Sequence, residues 1–133
     1  MLSLPIRLLP GQDIRRALEA ALAERGLTAG FVIAGIGSLS RAPLRFAGRP
    51  NPVELTGDLE VLTLSGSVSP GGSHLHCTVS NADGEVCGGH LAYGSVVRTT
   101  AEVLLALLPE WSFSRANDPG TGYDELHVSP VKQ

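Results

Sequence analysis

An α+β fold is what this sequence predicts: one domain over residues 1–133, with a central antiparallel β-sheet packed against one main N-terminal helix. Three observations lead there. A single stretch of helical periodicity stands near the start of the chain. Nearly everything after it reads as short apolar or alternating runs, separated by Gly, Pro, Asn and Asp. A series of strands following one helix, without regular strand–helix alternation, points to an antiparallel sheet, and 133 residues suffice to bury one core.

The elements follow in order. Pro10 to Gly26 reads as the helix: Ile14, Ala17, Leu18, Ala21 and Leu22 recur at helical spacing, and Gly26 supplies the stop. Phe31-Val-Ile-Ala-Gly-Ile36 reads as a short buried strand and Leu44-Arg-Phe46 as a further strand candidate. Arg49-Pro-Asn-Pro52 is a loop. Leu59 to Val68 reads as a long strand closed by the turn Ser69-Pro-Gly-Gly72, and two more strands flank Asn81-Ala-Asp-Gly84. Arg98 to Leu108 is ambiguous: its Leu and Ala favour helix, its neighbours favour strand, and Pro109 ends it either way. Asn117 to Gly122 is a loop, and Leu126-His-Val128 a last short strand.

Charge and composition exclude several classes of function. The net charge is −3 and no run of Lys or Arg occurs, so strong electrostatic binding to DNA is not expected. Arg7, Pro5 and Pro10 interrupt the apolar stretch at the start, which therefore does not read as a secretory leader. No apolar segment approaches the ~18 residues of a membrane span. Two cysteines make no disulfide framework, so a cytoplasmic protein with reduced thiols is expected.

Three of the four histidines and both cysteines fall in Ser73-His-Leu-His-Cys-Thr-Val-Ser-Asn-Ala-Asp-Gly-Glu-Val-Cys-Gly-Gly-His-Leu91. Alternation puts Leu75, Cys77 and Val79 on one face of the first strand, and His74, His76, Thr78 and Ser80 on the other. A three-residue loop closed by Gly84 pairs Asn81 with Glu85 and sets His90 directly opposite His76, with His74 its diagonal neighbour. A two- or four-residue loop, or a bulge at Gly88-Gly89, would turn His90 away. In the first register His74, His76 and His90 can converge on one divalent metal, most naturally zinc, and leave an open coordination position. Cys77 and Cys87 then fall on the opposite, core-facing side as small hydrophobes. His127 stands alone and reads as a surface residue. Gly88 and Gly89 leave room for a ligand or another backbone to approach.

Other motifs carry less. Gly35-Ile-Gly37-Ser lacks the third glycine and the Lys-Ser/Thr pair of a phosphate loop and reads as a tight turn. Glu60 and Glu102 interrupt apolar stretches, as solvent-facing residues or as proton-transfer candidates, and Arg98 is a candidate partner for either and for an anion.

Arg7-Leu-Leu-Pro-Gly-Gln-Asp13, Ile36-Gly-Ser-Leu39, Leu59-Glu-Val-Leu-Thr-Leu-Ser-Gly66, His74-Leu-His76, Asp83-Gly84, Gly88-Gly-His-Leu91 and Ala101-Glu-Val103 follow one another along nearly the whole chain. This ordered set resembles the plants-and-prokaryotes conserved (PPC) domain in its short prokaryotic stand-alone form. The resemblance implies an α+β, PPC-like domain over residues 1–133, makes Ala101 to Leu108 a strand, and implies a homotrimer. The fold it implies is similar to that of acetolactate decarboxylase, which holds zinc with a His-x-His pair and a later His, a pattern that His74, His76 and His90 match in type and order. Plant members of the family follow an AT-hook and work in nuclear protein contacts, whereas this sequence contains no AT-hook. Two functions are therefore expected: a trimeric zinc-binding protein acting on a small oxygenated metabolite, or a DNA-associated or protein-interaction module without catalytic activity.

Overall fold

A computed structural model describes residues Met1–Lys132. In chain order the elements are β1 (Leu2–Leu8), α1 (Ile14–Ala23), β2 (Gly30–Arg45), β3 (Val53–Val68), β4 (His74–Ser80), β5 (Val86–Leu91), β6 (Val96–Leu107), β7 (Trp111–Asn117) and β8 (Asp124–Pro130). The fold is a single small domain, mainly antiparallel sheet with one helix, as the sequence predicts.

The helix is shorter than its periodicity suggested. Gly11 takes a left-handed φ of 88°, and Asp13 caps the helix by accepting from the Arg16 backbone N–H at 3.1 Å. The same carboxylate accepts from the Gly94 N–H at 2.6 Å, which ties the helix start to the turn before β6. Ile14, Leu18 and Leu22, one face at i, i+4, i+8, are buried against the sheet.

Six strands form one sheet in the order β1-β6-β2-β3-β4-β5. The sheet then closes on itself, because the end of β2 also pairs with β5: Leu44 faces Leu91 and Arg45 faces His90. Strands β2, β3, β4 and β5 thus form a continuous ring whose interior is filled by Leu39, Leu44, Leu64, Leu75, Val79 and Leu91. β7 and β8 form a separate hairpin. Phe113 packs edge-on against Phe31, with ring centroids 5.6 Å apart, and Arg115 donates to the Gly72 carbonyl at 2.9 Å and the Ser67 hydroxyl at 3.1 Å.

Several local expectations are corrected. Phe31 to Ile36 and Leu44 to Arg45 belong to one 16-residue strand, and that strand is not fully buried: Phe31, Ile33 and Ile36 are exposed. Gly35-Ile-Gly37 lies inside this strand and makes no turn. Gly35 leaves room for the Leu64 side chain, and Gly37 for the backbone of Thr100 and Ala101. β1 and β7 have no counterpart among the predicted elements. The ambiguous stretch ending at Leu108 is strand β6, in the conformation the family resemblance implied.

Candidate metal centre

The site is built on the β4–β5 hairpin. Asn81 organises its turn: its amide oxygen accepts the Asp83 and Glu85 N–H groups at 3.0 and 2.9 Å, and Gly84 closes the loop at φ 78°. Asn81 N–H donates to the Glu85 carbonyl at 3.0 Å. The register this three-residue loop dictates is the observed one: His76 faces His90, Cys77 faces Gly89 and Ser80 faces Val86.

Two glycines let the neighbouring strands approach. A Cβ on Gly66 of β3 would run into the His74 carbonyl, and the φ of 137° there suits only glycine. A Cβ on Gly89 would meet the Arg45 carbonyl at 2.7 Å, so this glycine admits the strand that closes the ring beside His90. From the helix, Arg15 reaches across with both Nη groups. One donates to the Ser73 carbonyl at 2.6 Å and the other to the Leu91 carbonyl at 2.9 Å. It therefore grips the residues adjoining His74 and His90, and Glu19 offsets its charge at 3.5 Å.

The three imidazoles meet. His74 Nε2 lies 3.2 Å from His76 Nε2 and 3.1 Å from His90 Nδ1, and one nitrogen from each ring falls within 4.8 Å of the others. Tetrahedral coordination at ~2.0–2.1 Å separates ligand nitrogens by about 3.3 Å, so small ring rotations would aim all three at one ion. His74 and His76 are exposed and His90 is half-buried. The donor set is three nitrogens of intermediate softness with an open side, which suits zinc and other late divalent metals.

The surroundings favour the neutral form of two of these ligands, His74 and His90. Burial is the main cause holding the His74 imidazole below its ordinary value of 6.5. Its His76 neighbour, Arg115 and Arg15 act in the same direction, and Glu125 acts against them. His90 is also lowered, first by burial and then by Arg45, His76 and His74. Cys77 faces the core, 2% exposed, and burial pushes its thiol up to about 12, so no thiolate is available there. Cys87 packs against the core. His127 is exposed on β8, opposite Ser114, outside the cluster.

The remaining sequence candidates lie elsewhere. Glu60 is exposed opposite Ser80, four residues along β4 from His76 and therefore about 13 Å away. Glu102 is exposed on β6, between Arg7 and Ile36. Arg98 pairs with Asp58 at 2.9 Å and with neither glutamate, which corrects its expected partner. None of the three lines the cavity that opens beside His74 and His90, of about 560 Å³. Its polar lining is instead Arg15, Arg45, Arg115, Tyr123, Asp124 and Glu125, residues that the sequence reading did not single out. Arg45 lies inside the Leu44–Phe46 strand candidate, but only closure of the ring reveals its place beside His90. Arg115 and Glu125 arrive on the β7–β8 hairpin, of which only the second strand was foreseen.

A ring-closed antiparallel domain with a histidine-bearing hairpin defines the class, and comparison with known proteins gives the family. The chain belongs to the Plants and Prokaryotes Conserved (PCC) domain family, whose model matches residues 2–109. It is 51% identical over 127 residues to the bifunctional protein GlmU of Synechococcus sp. strain JA-2-3B'a(2-13), covering 96% of this chain and 20% of that protein. The chain thus spans about a fifth of the length of the curated relatives it matches. Among solved structures, a hypothetical protein from Salmonella enterica is 40% identical with a TM-score of 0.92, covering 97% of this chain and 94% of that one. A metal-containing protein from Archaeoglobus fulgidus is 30% identical with a TM-score of 0.77, over 94% and 92% of the two chains. A candidate DNA-binding protein from Ralstonia eutropha is 26% identical with a TM-score of 0.78, over 94% and 90%.

Proposed function

We propose that this protein is a homotrimeric, cytoplasmic PCC-domain protein that holds one zinc ion per chain through His74, His76 and His90 and binds a small oxygenated metabolite there. The observation that carries the reading is the gathering of three imidazoles on one open face of a hairpin. A relative 30% identical is described as metal-containing, which supports it. So does the histidine pattern shared with acetolactate decarboxylase. When bound at such a site, zinc supplies Lewis acidity toward a carbonyl or activates a water. The chain's own residues hold and orient: Arg15 fixes the two histidine strands, and Glu125, beside His74, is the carboxylate placed to exchange a proton with a ligand in the cavity. Glu60, Arg98 and Glu102 are left without a part in this reading.

Self-association is supported by the exposed apolar side chains Ile33, Ile36 and Leu62 on β2 and β3. A cytoplasmic location is supported by two free cysteines, and among the described residues no helix is long and apolar enough to cross a membrane. Elemental analysis after zinc loading, with light scattering on the same sample, tests the reading. One zinc per chain and a mass near three times 13.9 kDa are expected. Metal-free protein after loading would end the zinc assignment, and a monomer at micromolar concentration would end the trimer. The rival reading, a DNA-associated module, is favoured by the name of the Ralstonia eutropha relative, and the net charge of −3 weighs against it.

A further inference from the structure

Three arginines line the cavity beside the histidines, together with the carboxylates Asp124 and Glu125. Arg15, Arg45 and Arg115 line it, and only Arg15 has a carboxylate partner, Glu19. Among the described residues, no ion pair involves Arg45 or Arg115. Both are half-buried: Arg45 faces His90 across the ring closure, and Arg115 lines the same cavity as His74.

Arg115 is also held in place. Its Nε and one Nη are spent on Gly72 and Ser67, which leaves the other Nη free on a fixed guanidinium. Arg45 spends one Nη on the Arg49 carbonyl at 3.3 Å and keeps the rest of its fork. Two guanidiniums without an ion pair, one of them fixed by the backbone, make a preorganised receptor for an oxyanion. The cavity size, about 560 Å³, suits a small molecule rather than a polymer. Glu125 lines the same space and accepts from the Thr121 hydroxyl at 3.0 Å through Oε1, so a hydroxyl on the ligand would find an acceptor at its other oxygen.

We infer that this cavity binds the oxyanion headgroup, carboxylate or phosphate, of a small hydroxylated metabolite through Arg45 and Arg115. The inference rests on the proposed function for the ligand's place beside the zinc, but the arginine site stands on its own geometry. Its test is calorimetric titration of zinc-loaded and zinc-free protein with glycolate, inorganic phosphate and neutral acetamide. Glycolate or phosphate should bind both forms, more tightly with zinc, and acetamide neither. The tighter of the two anions identifies the headgroup. Arg45→Gln and Arg115→Lys should each weaken anion binding at least tenfold with zinc content unchanged, whereas Arg25→Gln, on the helix terminus, should not. Anion binding of wild-type strength in both arginine variants, or none in either form of the wild type, overturns the inference. Failure of the protein to take up zinc would sink the zinc assignment alone, because the zinc-free titration still decides the arginine site.

Discussion

Replacing His76 by alanine is the sharpest perturbation of the metal centre. His76 faces His90 across the hairpin and its Nε2 lies 3.2 Å from that of His74, so its loss leaves only the His74–His90 pair, 3.1 Å apart. Apparent zinc binding energies of about 10–16 kcal/mol for four ligands correspond to roughly 2.5–4 kcal/mol per ligand. His76→Ala should therefore weaken zinc by about 10²–10³-fold, at ~1.4 kcal/mol per factor of ten. Because the side chain is exposed and contributes nothing to the core, the metal-free variant should melt with the metal-free wild type. With zinc at about 100 times the wild-type Kd, the wild type should gain ~2.7 kcal/mol. That is a rise of roughly 10 °C for a chain of this length, and chelator should abolish it. The assay is competitive titration against a zinc indicator, paired with thermal melts. A His76→Ala variant that keeps wild-type affinity, or a His127→Ala variant that loses it, would refute the three-histidine site.

The remaining predictions concern pH, backbone and nucleic acid. His74 and His90 both titrate below their unfolded value of about 6.5, so the folded chain favours their neutral forms. Their contribution to stability is complete above pH 6.5 and is lost as the pH falls through the lowered folded values. Melts of zinc-free protein between pH 7.5 and 5 should show this, and bound zinc should be released only below pH 6.5. Gly66→Ala places a methyl on the His74 carbonyl at a φ of 137° and should destabilise the chain by at least about 2 kcal/mol, read in denaturant melts. Binding to duplex DNA at physiological salt should be weak or undetectable, and sub-micromolar, salt-sensitive binding in an anisotropy titration would contradict the charge argument.

The histidine hairpin was legible because its information is local. Turn chemistry at Asn81-Ala-Asp-Gly84 sets the loop length, and period-two alternation then decides which side chains share a face. The arginines were not legible, because their positions depend on contacts distant in sequence: Arg45 through ring closure onto β5, Arg115 through docking of a hairpin against β3 and its turn. β1 was obscured by Pro5, which the strand tolerates because it lies at the sheet edge. The helix was over-extended because periodicity cannot see Gly11 at φ 88° or the capping carboxylate of Asp13. Composition alone makes the apolar run from Phe31 look buried, whereas the strand turns half of it outward.

The pairing of Arg45 with His90 makes the candidate site part of a seam. A pocket on a loop can loosen while the domain stays folded, but a pocket on the line where a ring of strands is joined cannot, since parting that line would expose the packed interior. Access must therefore come from the solvent side, past the β7–β8 hairpin, with little movement of the strands themselves. Backbone amides along the join should exchange with deuterium only as fast as the whole chain unfolds, so the histidines and Arg45 keep their spacing with or without a ligand.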